Sequence, residues 1–271
     1  MQTVSPCGGA VGGSTVVDMT NIGLGRQVDR LPAISRAAGV DIVIGCGWYL
    51  HASHPPELDT AAPEQLAEAL VSELRDGVGD TGIRPGLIGE VGTSAPVTER
   101  ERKVLRASAW AAVETGAAIN CHIEAAGAHG VEVAELLIAE GAAPDRIVLS
   151  HMDERLDLDY HLAAASLGVV LEFDTFGVES YWNFPAKDPT DAERCEQLAT
   201  LLEQGLAAQV VLGCDVFTKT CHTEFGGMGY EHLPLRVAPM LRDNYGVTGE
   251  QLDQMLVETP RRLLDRPWSD A

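Results

Sequence analysis

Short, nearly continuous apolar runs alternate with longer amphipathic segments along the whole chain, and this rhythm limits the folds open to it. The runs are Ser14 to Met19, Asp41 to Cys46, Gly86 to Glu90, Ala117 to His122, Arg146 to His151, Gly168 to Asp174 and Gln209 to Asp215. Most are rich in Val and Ile, as strands buried on both faces of a parallel sheet are. The segments between them read as helices. Leu66, Leu70 and Leu74 recur at four-residue spacing after Pro63, with Ala67 and Val71 beside them, forming one apolar stripe. Thr98 with Glu101, Thr190 with Glu193 and Thr248 with Gln251 each match a capping box, and Thr259-Pro260 opens a last short helix. Strand–helix alternation of this kind specifies a parallel sheet, either open and doubly wound or closed into a barrel. No Gly-x-Gly-x-x-Gly follows the first run, which weakens a dinucleotide-binding open sheet. Residues 1–271 carry no break in composition and read as a single domain.

The ends of the runs carry polar groups. Glu90, His122, His151 and Asp215 each terminate an apolar run. In a parallel barrel such positions converge at the C-terminal mouth, where active sites lie. Any one of them alone has an ordinary structural explanation, but four at matching positions form a set. Imidazole nitrogens and carboxylate oxygens together suit one or two divalent cations, zinc foremost. The long loops at His51 to Pro63, Gly177 to Pro189 and Thr218 to Gly229 all follow strands and belong to the same face.

Charge excludes some partners. Nineteen basic against 40 acidic side chains leave a net charge of -21, unsuited to nucleic acid or an anionic membrane surface. No apolar run approaches the roughly 18 residues of a membrane span, and Met1 to Gly13 shows no signal-peptide pattern. The six cysteines are scattered without a Cys-x-x-Cys pair, which fits a reducing, cytoplasmic setting.

In order along the chain, STVVDMTN at Ser14, IVIGCGWY at Ile42, LIGEVGTS at Leu87, INCHIE at Ile119, IVLSHMDE at Ile147, VVLEFDTFG at Val169, VVLGCDVFT at Val210 and GGMGYEHL at Gly226 resemble the phosphotriesterase family of the amidohydrolase superfamily. The resemblance runs from about Gly12 to Asp265 and is closest to the phosphotriesterase homology protein branch. It implies a (β/α)8 TIM barrel and a metal-dependent hydrolase that uses a metal-bound hydroxide to cleave an ester-type bond: a lactone, carboxylic ester or phosphoester of a small-molecule substrate. By the same resemblance His122 and His151 hold the more exposed metal and Glu90 bridges two metals. Asp215 binds the more buried metal and is the catalytic group that handles the proton of the nucleophile.

One departure is serious. Family members open with a strand carrying His-x-His, and this chain has none; His51 and His54 are separated by two residues and lie in a loop. The resemblance therefore implies a barrel incomplete at its N-terminus, with the first βα unit missing, through a fragment or miscalled start rather than a natural variant. The alternative is a degenerate barrel that binds metal or ligand without turnover. An open edge would favour association, and a homodimer is one expectation.

The substrate pocket is less legible. Trp48, Tyr49 and Phe176 either line an apolar pocket or pack. Asp174 touches substrate or caps a helix. Asp153 and Arg155 orient the ligand histidine or bind an anionic group, and Tyr230 in its Gly-rich loop is placed to close over substrate. Lys219 reads as solvated. A Schiff-base barrel is disfavoured, because Lys103, Lys187 and Lys219 all fall in helices or loops.

Overall fold

The computed structural model describes residues 12–179 and 187–265. Seven strands form one parallel sheet in strict sequence order. They are β1 (Thr15–Asp18), β2 (Asp41–Cys46), β3 (Leu87–Thr93), β4 (Ile119–Ile123), β5 (Ile147–Ser150), β6 (Val170–Phe173) and β7 (Val210–Leu212). The main helices are α1 (Leu31–Ala38), α2 (Glu57–Thr60), α3 (Pro63–Asp76), α4 (Glu99–Thr115), α5 (Gly130–Ala139), α6 (Leu158–Ser166), α7 (Asp191–Glu203), α8 (Ala238–Tyr245), α9 (Gly249–Asp253) and α10 (Thr259–Leu264). From α3 to α8 each helix packs on the next, giving an outer layer around the sheet. Among the described residues β1 and β7 each keep one edge unpaired. No described helix is long and apolar enough to cross a membrane.

The expected helix devices are present. The hydroxyls of Thr98, Thr190 and Thr248 each accept from the backbone N–H three residues on, and the side chains of Glu101, Glu193 and Gln251 return the bond. The stripe of Leu66, Leu70 and Leu74 is buried.

Alternation along the strands sorts side chains into an outer and an inner set. Ile119, Cys121, Ile147, Leu149, Leu171 and Phe173 join the main core beneath the helices. The intervening residues build layers inside the sheet. Ala118, Val148, Val170 and Val211 meet Leu263 of α10 in an apolar floor. Two residues further along their strands, Asn120, Ser150 and Glu172 form a hydrogen-bonded polar layer. His122 and Asp174 lie two residues beyond that, at the mouth.

β3 departs from the expected strand. It runs on to Thr93, so Glu90 sits within it rather than at its end. The register against β4 slips between Ile88 and Val91, an irregularity that re-aims the intervening side chain. Gly89 has φ 148°, and a Cβ there would stand 2.9 Å from Asn120 Cβ, so only glycine fits ahead of Glu90. At Gly92 a Cβ would lie 2.2 Å from the backbone of Tyr49, which explains how the loop after β2 lies flat on β3.

Candidate metal centre

Glu90, His122 and His151 each offer one ligand atom, and these atoms lie within 4.8 Å of one another. Oε1 of Glu90 stands 2.9 Å from His151 Nε2 and 3.4 Å from His122 Nδ1. The two imidazoles meet edge to face, with centroids 4.6 Å apart. Burial disfavours a charged carboxylate at Glu90, but the two histidines outweigh it and hold the group well below the usual carboxylate range. Burial likewise works against a charged His151. Asp174 and Glu90 overcome that and raise it well above an ordinary imidazole. A compact anion between two imidazoles, with few other polar partners, is a donor set that a divalent cation fits.

Local backbone geometry delivers these groups. His151 follows β5 with φ 58°, and Asp215 follows β7 with φ 37°. Both occupy a region that non-glycine residues seldom enter, which is a mark of a site held by its surroundings. At His151 the holding group is visible. Oδ1 of Asp174 accepts from the His151 backbone N–H at 2.9 Å and faces Nδ1 at 3.0 Å. The ring is thereby turned with Nε2 toward Glu90, the arrangement by which carboxylates orient ligand histidines.

Asp215 stands outside the three-residue cluster. Its carboxyl is pushed up to about 7, first by burial and then by Glu90, Glu154 and Glu172, with His151 opposing. It shares the electrostatic environment of the mouth with Glu90 and His151.

The other sequence-selected residues are placed as follows. The Tyr49 hydroxyl lies 3.1 Å from His122 Nδ1, so this residue does reach the centre. Trp48 and Phe176 are buried in the core and pack, the second of the two readings open to them. Asp174 neither caps a helix nor faces open space; it is buried against His151. Asp153 does not touch His151. It accepts from the backbone N–H of Asp174 at 3.2 Å and of Thr175 at 3.0 Å. Arg155 is exposed, with Asp157 at 3.8 Å. Tyr230 is exposed and its ring meets His222 at 5.9 Å. Lys219 lies over the Phe225 ring. The loop expected at Gly177 to Pro189 falls partly outside the described residues.

Sequence reasoning passed over Asn120, Ser150 and Glu172, the polar layer under the centre. Asn120 Nδ2 donates to Glu172 Oε2 at 2.6 Å, and Ser150 Oγ lies 2.7 Å from both partners. Burial raises the Glu172 carboxyl. Asn120 and Glu172 sit two residues before His122 and Asp174, so period-two reading back from those positions would have found them. Asn21, after β1, was also missed; its amide donates to the backbone carbonyl of Glu90.

A parallel sheet with a carboxylate–imidazole cluster at its C-terminal mouth defines the class of metal-dependent hydrolases built on α/β barrels. The model of the phosphotriesterase family matches residues 9–264. An N-acetyltaurine hydrolase of Danio rerio is 34% identical over 262 residues, which are 95% of this chain and 75% of that one. The phosphotriesterase homology protein of Escherichia coli, solved with phosphate in its active site, superposes with a TM-score of 0.89 at 31% identity, covering 96% of this chain and 87% of that one. A mutant of a phosphotriesterase-like lactonase from Deinococcus radiodurans superposes with a TM-score of 0.84 at 30% identity, covering 96% and 84%. The chain belongs to the phosphotriesterase family and is a hydrolase of that family.

Proposed function

We propose that this hydrolase holds a divalent cation, zinc foremost, on Glu90, His122 and His151, and cleaves an acyl or phosphoryl bond of a small molecule. The observation that carries the reading is the convergence of three ligand atoms from β3, β4 and the turn after β5, with the His151 ring fixed by Asp174. A cation bound there supplies Lewis acidity and makes water acidic enough to attack at neutral pH.

The chain's own groups do the rest. Asp215 takes the proton from the attacking water onto its carboxylate and passes it to the leaving group. Asp174 keeps Nε2 of His151 directed into the centre. The Tyr49 hydroxyl, beside His122, lies where it can bond a substrate oxygen. The family resemblance implies lactones, carboxylic esters or phosphoesters, without choosing among them. The relative named as an N-acetyltaurine hydrolase extends the range to an amide bond, whose leaving group is an amine.

We also read the sheet as a barrel short of one strand between β7 and β1, the two unpaired edges. A second cation beside Glu90 and Asp215 would then need donors from beyond the described residues. A second reading is a site that binds one cation without turnover. Zinc-loaded protein assayed against a lactone, a phosphotriester and an N-acyl aminosulfonate separates the two. The first reading expects hydrolysis that chelation removes, zinc restores, and His151→Ala and Asp215→Asn abolish. Full activity in either variant would sink the residue assignment, and bound zinc without turnover on the panel would favour the second reading.

A further inference from the structure

Behind the metal centre lies a buried ion-pair network. Arg194, on the first turn of α7, has a side chain with no solvent exposure. Its Nε lies 3.2 Å from Oδ2 of Asp153, which is equally buried, as an ion pair without hydrogen-bond alignment. Its Nη1 lies 3.4 Å from Asp191 Oδ1, and its Nη2 donates to the carbonyl of Val178 at 3.0 Å. An arginine removed from water to this degree is costly unless its partners are fixed. Those partners are held in turn. Asp191 accepts from the Gly177 backbone N–H at 2.9 Å and meets His232 Nε2 at 2.5 Å. Asp153 accepts from the backbone N–H of Asp174, from that of Thr175 and, at 3.0 Å, from the Thr175 hydroxyl.

The backbone held by Asp153 is the one that carries Asp174, and Asp174 turns the His151 ring. Asp153 is itself two residues after His151, so the carboxylate pins the turn after β5 to the end of β6. The geometry points to Arg194 as a positioning residue for His151: through Asp153 it fixes Asp174, and through Asp174 it aims His151 Nε2 at the ligand cluster. It rests on the reading of His151 as a metal ligand for its catalytic consequence, but not for the geometry it asserts. Asp153 without a cation would face a second buried carboxylate, Asp174, across the same backbone. The fork of Arg194 also spans Asp153, Asp191 and the Val178 carbonyl at once, which a lysine cannot do.

The test uses the full chain, first without metal. The histidine ring signals are followed by proton–nitrogen NMR, with His151 assigned by its loss in His151→Gln. The wild type should show a slowly exchanging Nδ1 proton bonded to Asp174. Arg194→Met should lose that protection, and Arg194→Lys and Thr175→Val should weaken it, with circular dichroism unchanged. Cobalt titration should then show the dissociation constant rising about ten- to a hundredfold in Arg194→Met, with smaller rises in the other two. A merely structural role would lower the melting temperature and leave the His151 signal and cobalt affinity of the folded variant unchanged, which would overturn the proposal. If Arg194→Met does not fold, Arg194→Lys and Thr175→Val decide the matter by the same criteria. If the wild type takes up no cobalt while the His151 signal still responds to the variants, the metal centre fails and the positioning role stands.

Discussion

Replacing Asp215 with asparagine should stabilise the metal-free protein at alkaline pH. The carboxyl of Asp215 titrates near 7 in the fold, against 3.8 for a free aspartate. The raised value means the fold favours the neutral form. Below about pH 4 both folded and unfolded chains hold the proton, and the group has no effect on stability. Between about pH 4 and 7 the unfolded chain releases its proton while the folded chain keeps it, so stability falls as pH rises. Above about pH 7 both are ionised and the loss is complete. Three units at about 1.4 kcal/mol each set a ceiling of about 4 kcal/mol. Partial solvent access to Asp215 lowers the expected loss to about 2–4 kcal/mol. Asparagine keeps the shape and removes the charge. Urea unfolding of both proteins in chelator, at pH values from 4 to 8, should therefore show Asp215→Asn gaining over the wild type as pH rises, with little difference at the acid end. Zinc should shrink or reverse the gain, because a cation in the Glu90 cluster favours the ionised aspartate. A difference that does not vary with pH, or that favours the wild type at pH 8 without metal, would refute the reasoning.

Two further outcomes follow from named contacts. Asp174→Asn should leave the fold intact but weaken cobalt or zinc affinity about ten- to a hundredfold, measured by titration, since the His151 ring loses its charged orienting partner. Thr98→Ala should cost about 1 kcal/mol in urea unfolding without altering metal affinity, because it removes one half of the capping box at the start of α4, away from the metal ligands.

How far the sequence could be read depended on which local rule governed each residue. Apolar runs and capping boxes are local devices, and the strands, α3, α4 and α7 follow them. His122 and His151 were legible only as members of a set: either alone has an ordinary structural explanation, but polar groups at matching places in four Val- and Ile-rich runs do not, even though His122 lies within β4 and not at its end. Glu90 was found by the same rule, although it sits within β3; the register slip that aims it depends on Gly89 lying against Asn120, a contact between strands. Asp174 was left between two roles because its partner, His151, is brought to it by a left-handed turn that periodicity does not reveal. Arg194 escaped notice because an arginine on an amphipathic helix ordinarily faces water. Glu172 lies inside an apolar strand, where its polar partners, Asn120 and Ser150, come from β4 and β5. The Trp48 ring was open to two readings, pocket or packing, because its place after a strand fits both; tertiary packing put it in the core.

The most direct test of the metal centre is elemental analysis of the purified chain after growth with added zinc, beside His122→Ala and His151→Ala. The account predicts at least one zinc equivalent per wild-type chain and a loss of that equivalent in both variants. Wild-type protein that is folded but carries no metal, or variants that retain it in full, would contradict a centre built on Glu90, His122 and His151.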